Sequence, residues 1–328
     1  MMTIARRRGL TGSQASLLAL GLLAVMSAFL TPGCGNDEGE TIIITLIPWT
    51  LDFDPSNELF LVERKSLSIW KSTGDNLSGQ LLPPSGGGFS PWGIDVGDED
   101  ILFVSDDTAA RPRLLALSTD FTDAVPLGPE TLLAEVELSE IHPDDPIPVP
   151  RAVESLALAP GTFRVFLAAG AQVLVFDYSV TAERFSYWQT LAGGCDNPFE
   201  QPQGLAVDVP NRRLYVVDGG GNDRLYRFSG IDGLSPVCEG EIAEWTDPSS
   251  GSPTDFNDPA GAAVWSGGPE LVDNKIVVAD VDNQRLVAFL WGDAGLQPTT
   301  LPDYDEPYKR SPFDVAFAPD GKLWATYP

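Results

Sequence analysis

The sequence predicts an all-β protein: a six-bladed β-propeller whose last blade is closed by a strand near the N-terminus. Three observations carry that expectation. A short unit recurs six times after residue 40, and self-similarity at a period of roughly 20 to 50 residues marks stacked or radial repeats. Each unit holds short apolar runs between turn residues, which read as strands buried on both faces. The 328 residues include 32 Gly, 28 Pro and 43% apolar side chains, which suits many short strands joined by turns.

The chain opens on Arg6, Arg7 and Arg8, an apolar run over residues 16–30, and then Thr31-Pro32-Gly33-Cys34. That run is too short to span a bilayer, so residues 1–33 read as an export signal peptide. A small residue directly before Cys34 resembles the lipobox of bacterial lipoproteins, although Leu30 sits one place early and Pro32 takes the second position. The resemblance implies cleavage before Cys34 and acylation of the new terminus, palmitate included. Residues 34–40 are then the lipidated Cys and a polar tether. No Asp follows Cys34, which in that family favours the outer membrane, facing the periplasm or the cell surface. An ordinary secretory signal would leave Cys34 a plain thiol.

Charge narrows the partners. The chain carries 20 Lys+Arg against 47 Asp+Glu, a net charge of -27, and cleavage before Cys34 would remove three Arg and leave 17 against 47. Such a surface repels phosphate, so nucleic acid is excluded, and membrane attachment has to rest on the lipid anchor alone. A monomer is expected.

Residues 41–328 form the single predicted propeller domain. Residues 41–47 are an apolar, β-branched strand. The repeat begins at Pro48-Trp49-Thr50-Leu51-Asp52-Phe53 and returns as Pro91-Trp92-Gly93-Ile94-Asp95-Val96, as Pro202-Gln203-Gly204-Leu205-Ala206-Val207, as Pro259-Ala260-Gly261-Ala262-Ala263-Val264, and as Pro312-Phe313-Asp314-Val315-Ala316-Phe317. Pro150-Arg151 opens a looser third copy. A second, nearly continuous apolar strand follows each: 59–62, 101–104, 165–169, 214–217, 276–279 and 323–325. Third strands follow in five copies, at 67–70, 114–117, 173–176, 225–228 and 286–289, and a polar fourth strand such as 185–191 completes most. Small residues on the first strand suit crowding at an axis. The sixth copy stops after two strands, so residues 41–47 are expected to close it beside 323–326 and to remove an exposed edge.

Asp280-Val281-Asp282-Asn283-Gln284-Arg285-Leu286, preceded by Ile276-Val277-Val278-Ala279, resembles the NHL repeat of six-bladed propellers. Asp218, Asn222, Arg224 and Leu225 make a second copy, lengthened by Gly219-Gly220-Gly221, and Asp106 with Arg113 a partial third. The recurring Asp, Asn and Arg read as a structural clamp on the turn between second and third strands, where carboxylate and guanidinium can pair.

Chemistry-bearing residues are sparse. His142 is the only histidine, which excludes a site with two His ligands and makes a Ser/His triad a poor reading. Acidic loops make calcium the possible metal, but no Asp-x-Asp-x-Asp-Gly loop is present, and no certain cofactor or metal residue is assigned. Cys195 and Cys238 are a disulfide candidate in an exported chain. Against it, the strand reading places them at opposite ends of their fourth strands. The residue after each opening Pro should surround the channel mouth, which makes Trp49, Trp92, Arg151, Gln203 and Phe313, beside the small Ala260, the ligand-binding candidates, with Trp49, Trp92 and Phe313 alternatively a plug.

Two functions compete. One is a non-enzymatic, lipid-anchored propeller that binds a protein, peptide or glycan. The other is a calcium-dependent hydrolase resembling the senescence marker protein and gluconolactonase group, whose Glu-Gly-Pro opening is replaced here by Pro48-Trp49-Thr50.

Overall fold

A computed structural model describes residues 2–7, 41–46, 48–73, 76–84, 88–141, 147–247, 251–265, 275–292, 295–299 and 311–328. Cys34, the tether of residues 34–40, His142 and most of the expected signal peptide lie outside the described residues.

The repeats become antiparallel four-stranded sheets. Blade 1 is Pro48–Phe53, Glu58–Glu63, Ser68–Thr73 and Asn76–Leu82, with Ala124–Pro126 added parallel at its outer edge. Blade 2 is Pro91–Gly97, Ile101–Asp106, Arg113–Ser118 and Leu132–Glu137. Blade 3 is Pro150–Ala159, Thr162–Ala169, Gln172–Ser179 and Arg184–Leu191, and blade 4 is Gln201–Asp208, Arg213–Gly219, Arg224–Ser229 and Val237–Ile242. Blade 5 is Pro259–Trp265, Lys275–Asp280, Arg285–Gly292 and Gly295–Thr299.

Among the described residues five four-stranded blades form, not six. The last copy is a two-stranded sheet, Val315–Phe317 with Leu323–Ala325. First strands lie side by side from blade 1 to blade 5, and Val315–Phe317 packs against both Pro259–Trp265 and Pro48–Phe53. Closure of this sheet by residues 41–47 is not what is seen. Thr41–Leu46 instead pairs antiparallel with Met2–Arg7, Met2 opposite Leu46.

A blade is apolar on both faces, so its neighbours must cover it. Phe60, Val62 and Ile69 of blade 1 pack against Leu102, Val104 and Leu115 of blade 2, and comparable layers join blades 2 to 3, 3 to 4 and 4 to 5. The layers on either side of the two-stranded sheet are thinner: Ala263 and Ala279 meet Val315 on one side, and Leu51, Leu61 and Trp70 meet Ala316 on the other.

The looser look of copy 3 also has a cause. Its first strand spans ten residues, Pro150–Ala159, and its pairing slips twice, between Pro150 and Val153 and between Ala157 and Ala159.

Candidate functional site: the axial mouth and channel

In all five blades the ladder between first and second strands shifts register just after the opening proline, as between Pro48 and Leu51 or Pro91 and Ile94. Proline has no N–H to donate, so the ladder breaks there, and the residue that follows is free to re-aim its side chain.

Those residues meet, in part. Trp49 lies edge-on to Trp92, centroids 5.3 Å apart, and to Phe313 at 4.7 Å, while Trp92 and Phe313 are 6.4 Å apart. Arg151 places its guanidinium 5.0 Å from the Trp92 ring centre. Gln203 stands off from the rings and donates to Asp258 Oδ1 at 2.8 Å. Arg64, which the sequence reading missed, lies 3.9 Å over Trp92 and 5.2 Å from Trp49, and its Nη2 donates to Asp107 Oδ2 at 2.9 Å. The indole surface of Trp92 is therefore met by cations, not left as an open platform for a sugar.

One residue deeper, the first strands approach backbone to backbone. A Cβ added to Gly204 would lie 2.0 Å from Ala260 O, and one on Gly93 2.4 Å from Arg151 O. This explains the small residues of the repeat. Asp314 breaks the pattern, and it fits because Gly261 has no side chain: a Cβ there would lie 2.2 Å from Asp314 Oδ1.

Asp314 begins an arc of four acids that the sequence reading missed, Asp95 buried and Asp52, Glu154 and Asp314 partly buried. Its Oδ2 accepts from Leu51 N of blade 1 at 3.1 Å. Asp52 Oδ2 accepts from Val96 N of blade 2 at 2.6 Å. Asp95 accepts from the backbone and hydroxyl of Ser155 in blade 3, and Glu154 from the backbone of Val207 in blade 4. Each carboxylate thus ties its own first strand to the next. Among the described residues Asp95 Oδ2 is buried without a partner.

Burial, the largest cause in each case, pushes Asp95 up to about 6 and Asp314 up to about 7, and holds Asp52 and Glu154 well above the ordinary carboxylate range. Repulsion between the acids adds to the shift at Asp52 and Glu154. Asp52, Glu154 and Asp314 line a channel cavity of about 180 Å³ whose mouth carries Trp92, Gln203 and Phe313.

The channel acids do not fit a calcium centre. Among the described residues no three His, Cys, Asp or Glu side chains converge as metal ligands. The channel acids instead come one from each strand and turn toward backbone N–H groups.

The expected clamp residues are found around this mouth. Asp106 Oδ2 accepts from Arg113 Nε at 2.7 Å, and Asp280 Oδ2 from Arg285 Nε at 2.7 Å and Asn283 Nδ2 at 3.0 Å. Their other oxygens accept from Ser90 N and Asn257 N, which fixes the loop entering the same blade. Asp218 differs from the expected pattern. It bonds Asn222 and the Gln201 amide, whereas Arg224 turns away to Glu241 Oε1 at 2.9 Å. Arg224 Nε donates to Asn222 Oδ1 at 3.2 Å, so the amide stands between guanidinium and carboxylate.

Cys195 and Cys238 are joined in a disulfide, Cα atoms 5.1 Å apart. The objection from opposite strand ends fails because the loop after Arg184–Leu191 folds back through a Gly193–Pro198 bridge and lays Gly194 against the Tyr226 ring of blade 4. Cys238 itself lies within Val237–Ile242, where a bulge shifts the register.

No family model and no curated protein matches the chain. Solved structures do. Virginiamycin B lyase from Staphylococcus aureus aligns at TM-score 0.51 and 12% identity over 89% of this chain and 83% of its own. A chain of a nidogen/laminin complex aligns at TM-score 0.52 and 14% identity over 84% and 88%. The chain is a β-propeller. Aldose sugar dehydrogenase from Streptomyces coelicolor, in its PQQ-bound form, aligns at TM-score 0.50 and 14% identity over 86% and 88%. At such identities the likeness extends to the fold and no further. The propeller neighbours include both enzymes and a chain from a complex of binding proteins.

Proposed function

We infer that this propeller is an exported, lipid-anchored binding module, without catalytic activity, whose ligand is held at the axial mouth. The observation that carries the reading is the convergence of Trp49, Trp92, Phe313, Arg64 and Arg151 around one opening above a cavity. Aromatic and arginine side chains are the residue types that concentrate binding energy. The clamps and the disulfide hold the surrounding loops, so the opening is preorganised.

The address rests on the sequence: the basic head, the apolar run and Cys34 support export and acylation, with the outer membrane as destination. An NHL-like repeat is retained as the finer description of the blades, on the clamps of blades 2 and 5.

Two measurements test this. Expressed in a bacterium that processes lipoproteins, the parent should partition with outer membranes and Cys34→Ala should become soluble; a membrane-bound variant rules out lipidation. Trp92→Ala separates site from plug. A plug predicts a loss of about 3 to 5 kcal/mol in stability, and a site predicts a smaller loss together with lost quenching of Trp fluorescence by ligand.

A further inference from the structure

The mouth carries guanidinium groups and the channel carboxyl groups, and this has a bearing on what fits them. At the mouth Arg64 is paired with Asp107. Arg151 is not so matched. In the orientation that satisfies it, the Gln201 side-chain oxygen accepts from Arg151 Nη2 at 2.6 Å, and no carboxylate of the described residues forms an ion pair with that guanidinium. The nearby acids are Asp107, held by Arg64, and Asp258, held by Gln203. Below lie Asp314, one residue deeper than Arg151 in the repeat, and Asp52, Asp95 and Glu154, three residues deeper. Among the described residues none of those four acids is in an ion pair. Their neighbours are one another, backbone N–H groups, Ser155 and, for Asp95, Asp98. Asp95 keeps an oxygen without a partner at 7% exposure.

At a rise of about 3.3 Å per residue, the backbone positions of the acids lie about 3 to 10 Å further along their strands than the level of Arg151. A lysine's four-carbon stem bridges a gap of that size.

Building on the axial-mouth reading, we propose that the channel binds a ligand carrying a carboxylate and a basic group a lysine-length apart, the C-terminal lysine of a peptide or the free amino acid. The carboxylate sits on the end of the Arg151 fork and accepts from Nη1 and the remaining Nη2 hydrogen, since the Gln201 oxygen takes Nε and the other Nη2 hydrogen. The ammonium enters the cavity among Asp314, Asp52 and Glu154. A metal ion is the poorer occupant, since the acids do not converge, whereas an ammonium uses its three donors on separate acceptors. A multiply charged anion is disfavoured by Asp107, Asp258 and the acidic chain as a whole.

The test is Trp fluorescence and calorimetry on the full chain with the tripeptide Gly-Gly-Lys, its C-terminal amide, Gly-Gly-norleucine, free L-lysine and the neutral sugar cellobiose. Gly-Gly-Lys should quench and release heat, and the amide and the norleucine peptide should each bind at least tenfold more weakly, about 1.4 kcal/mol. Arg151→Gln should erase the preference for the acid over the amide while leaving the preference for lysine over norleucine, and Asp314→Asn should do the reverse. These paired preferences are read within each variant, so a general loss of fold does not imitate them. Free L-lysine binding as tightly as the tripeptide identifies the amino acid as the ligand; weaker binding identifies the peptide terminus. The proposal is overturned if neither Gly-Gly-Lys nor L-lysine binds up to roughly 5 mM, or if amide and norleucine controls bind as well. Quenching by cellobiose alone overturns it and leaves the mouth as a binding site. Silence from every probe, with a badly destabilised Trp92→Ala, removes both.

Discussion

Raising the pH from 5 to 8 should destabilise this propeller, and Asp314→Asn should remove a large part of that loss. Asp314 is partly buried beside Gly261, caps Leu51 N, and titrates at about 7 rather than the ordinary 3.8. A carboxyl with a raised pKa keeps its proton in the folded state after the unfolded chain has released it. The folded state therefore binds more protons, and stability falls as pH rises. The loss begins near the unfolded value of 3.8, accumulates up to the folded value of about 7, and is flat above it. A shift of about three units at about 1.36 kcal/mol each gives on the order of 4 kcal/mol for this group. Asp95, raised to about 6, adds to it in the lower part of the window. Asparagine mimics the protonated acid: its oxygen can accept from Leu51 N and it carries no charge. About two of the three units fall between pH 5 and 7, so the variant's advantage over the parent should grow by roughly 3 kcal/mol from pH 5 to pH 8. Urea denaturation followed by circular dichroism, at matched ionic strength and pH 5, 6, 7 and 8, measures both curves. Parallel curves for parent and variant, or a parent more stable at pH 8 than at pH 5, would refute the account of the channel acids.

Three further outcomes are expected. Gly261→Ala should prevent folding or cost several kcal/mol in a chemical melt, because its Cβ would lie 2.5 Å from Asp314 Cα; Gly128→Ala, whose nearest neighbour is 3.9 Å away, should change stability by less than about 0.5 kcal/mol. Reducing the Cys195–Cys238 bridge, which spans 43 residues, should lower stability by about 4 kcal/mol if the loop-entropy account holds, read by melting with and without a thiol reductant. Arg113→Met should cost about 3 to 5 kcal/mol, since it strands the fully buried Asp106 carboxylate, and the double variant with Asp106→Asn should recover part of the loss.

The blades were legible because the opening proline and the alternation after it repeat in sequence, and they repeat because each first strand meets the same crowding at the axis. The residues around the mouth followed from that register. The channel acids did not. Asp52, Asp95 and Glu154 alternate with apolar neighbours as solvent-facing residues do, and in a chain with 47 acids nothing in the alternation separates water from an axis. The usable signal was an acid four places after the proline in copies 1, 2 and 3, where copies 4 and 5 carry Ala206 and Ala263. Arg64 was missed because it belongs to a turn and reaches the axis only through the length of its side chain. The pairing of residues 41–46 escaped for another reason: a strand of β-branched residues specifies that it will pair, and says little about which edge it takes.

The two-stranded sheet makes the ring mechanically uneven. The other blades meet full blades, whereas the two-stranded sheet meets blade 1 through Ala316 on Leu51, Leu61 and Trp70, through Thr326 bonded to Trp49 O, and through Asp314 on Leu51 N. Local opening has its lowest free energy where the fewest apolar contacts are given up. The amides of Leu51 and Thr326 should then exchange with solvent before those inside blades 3 and 4, with the circle parting between its first and last strands. The acid that ionises near neutrality stands at that parting, so alkali would loosen the ring there first, much as a clasp yields before the links of a bracelet.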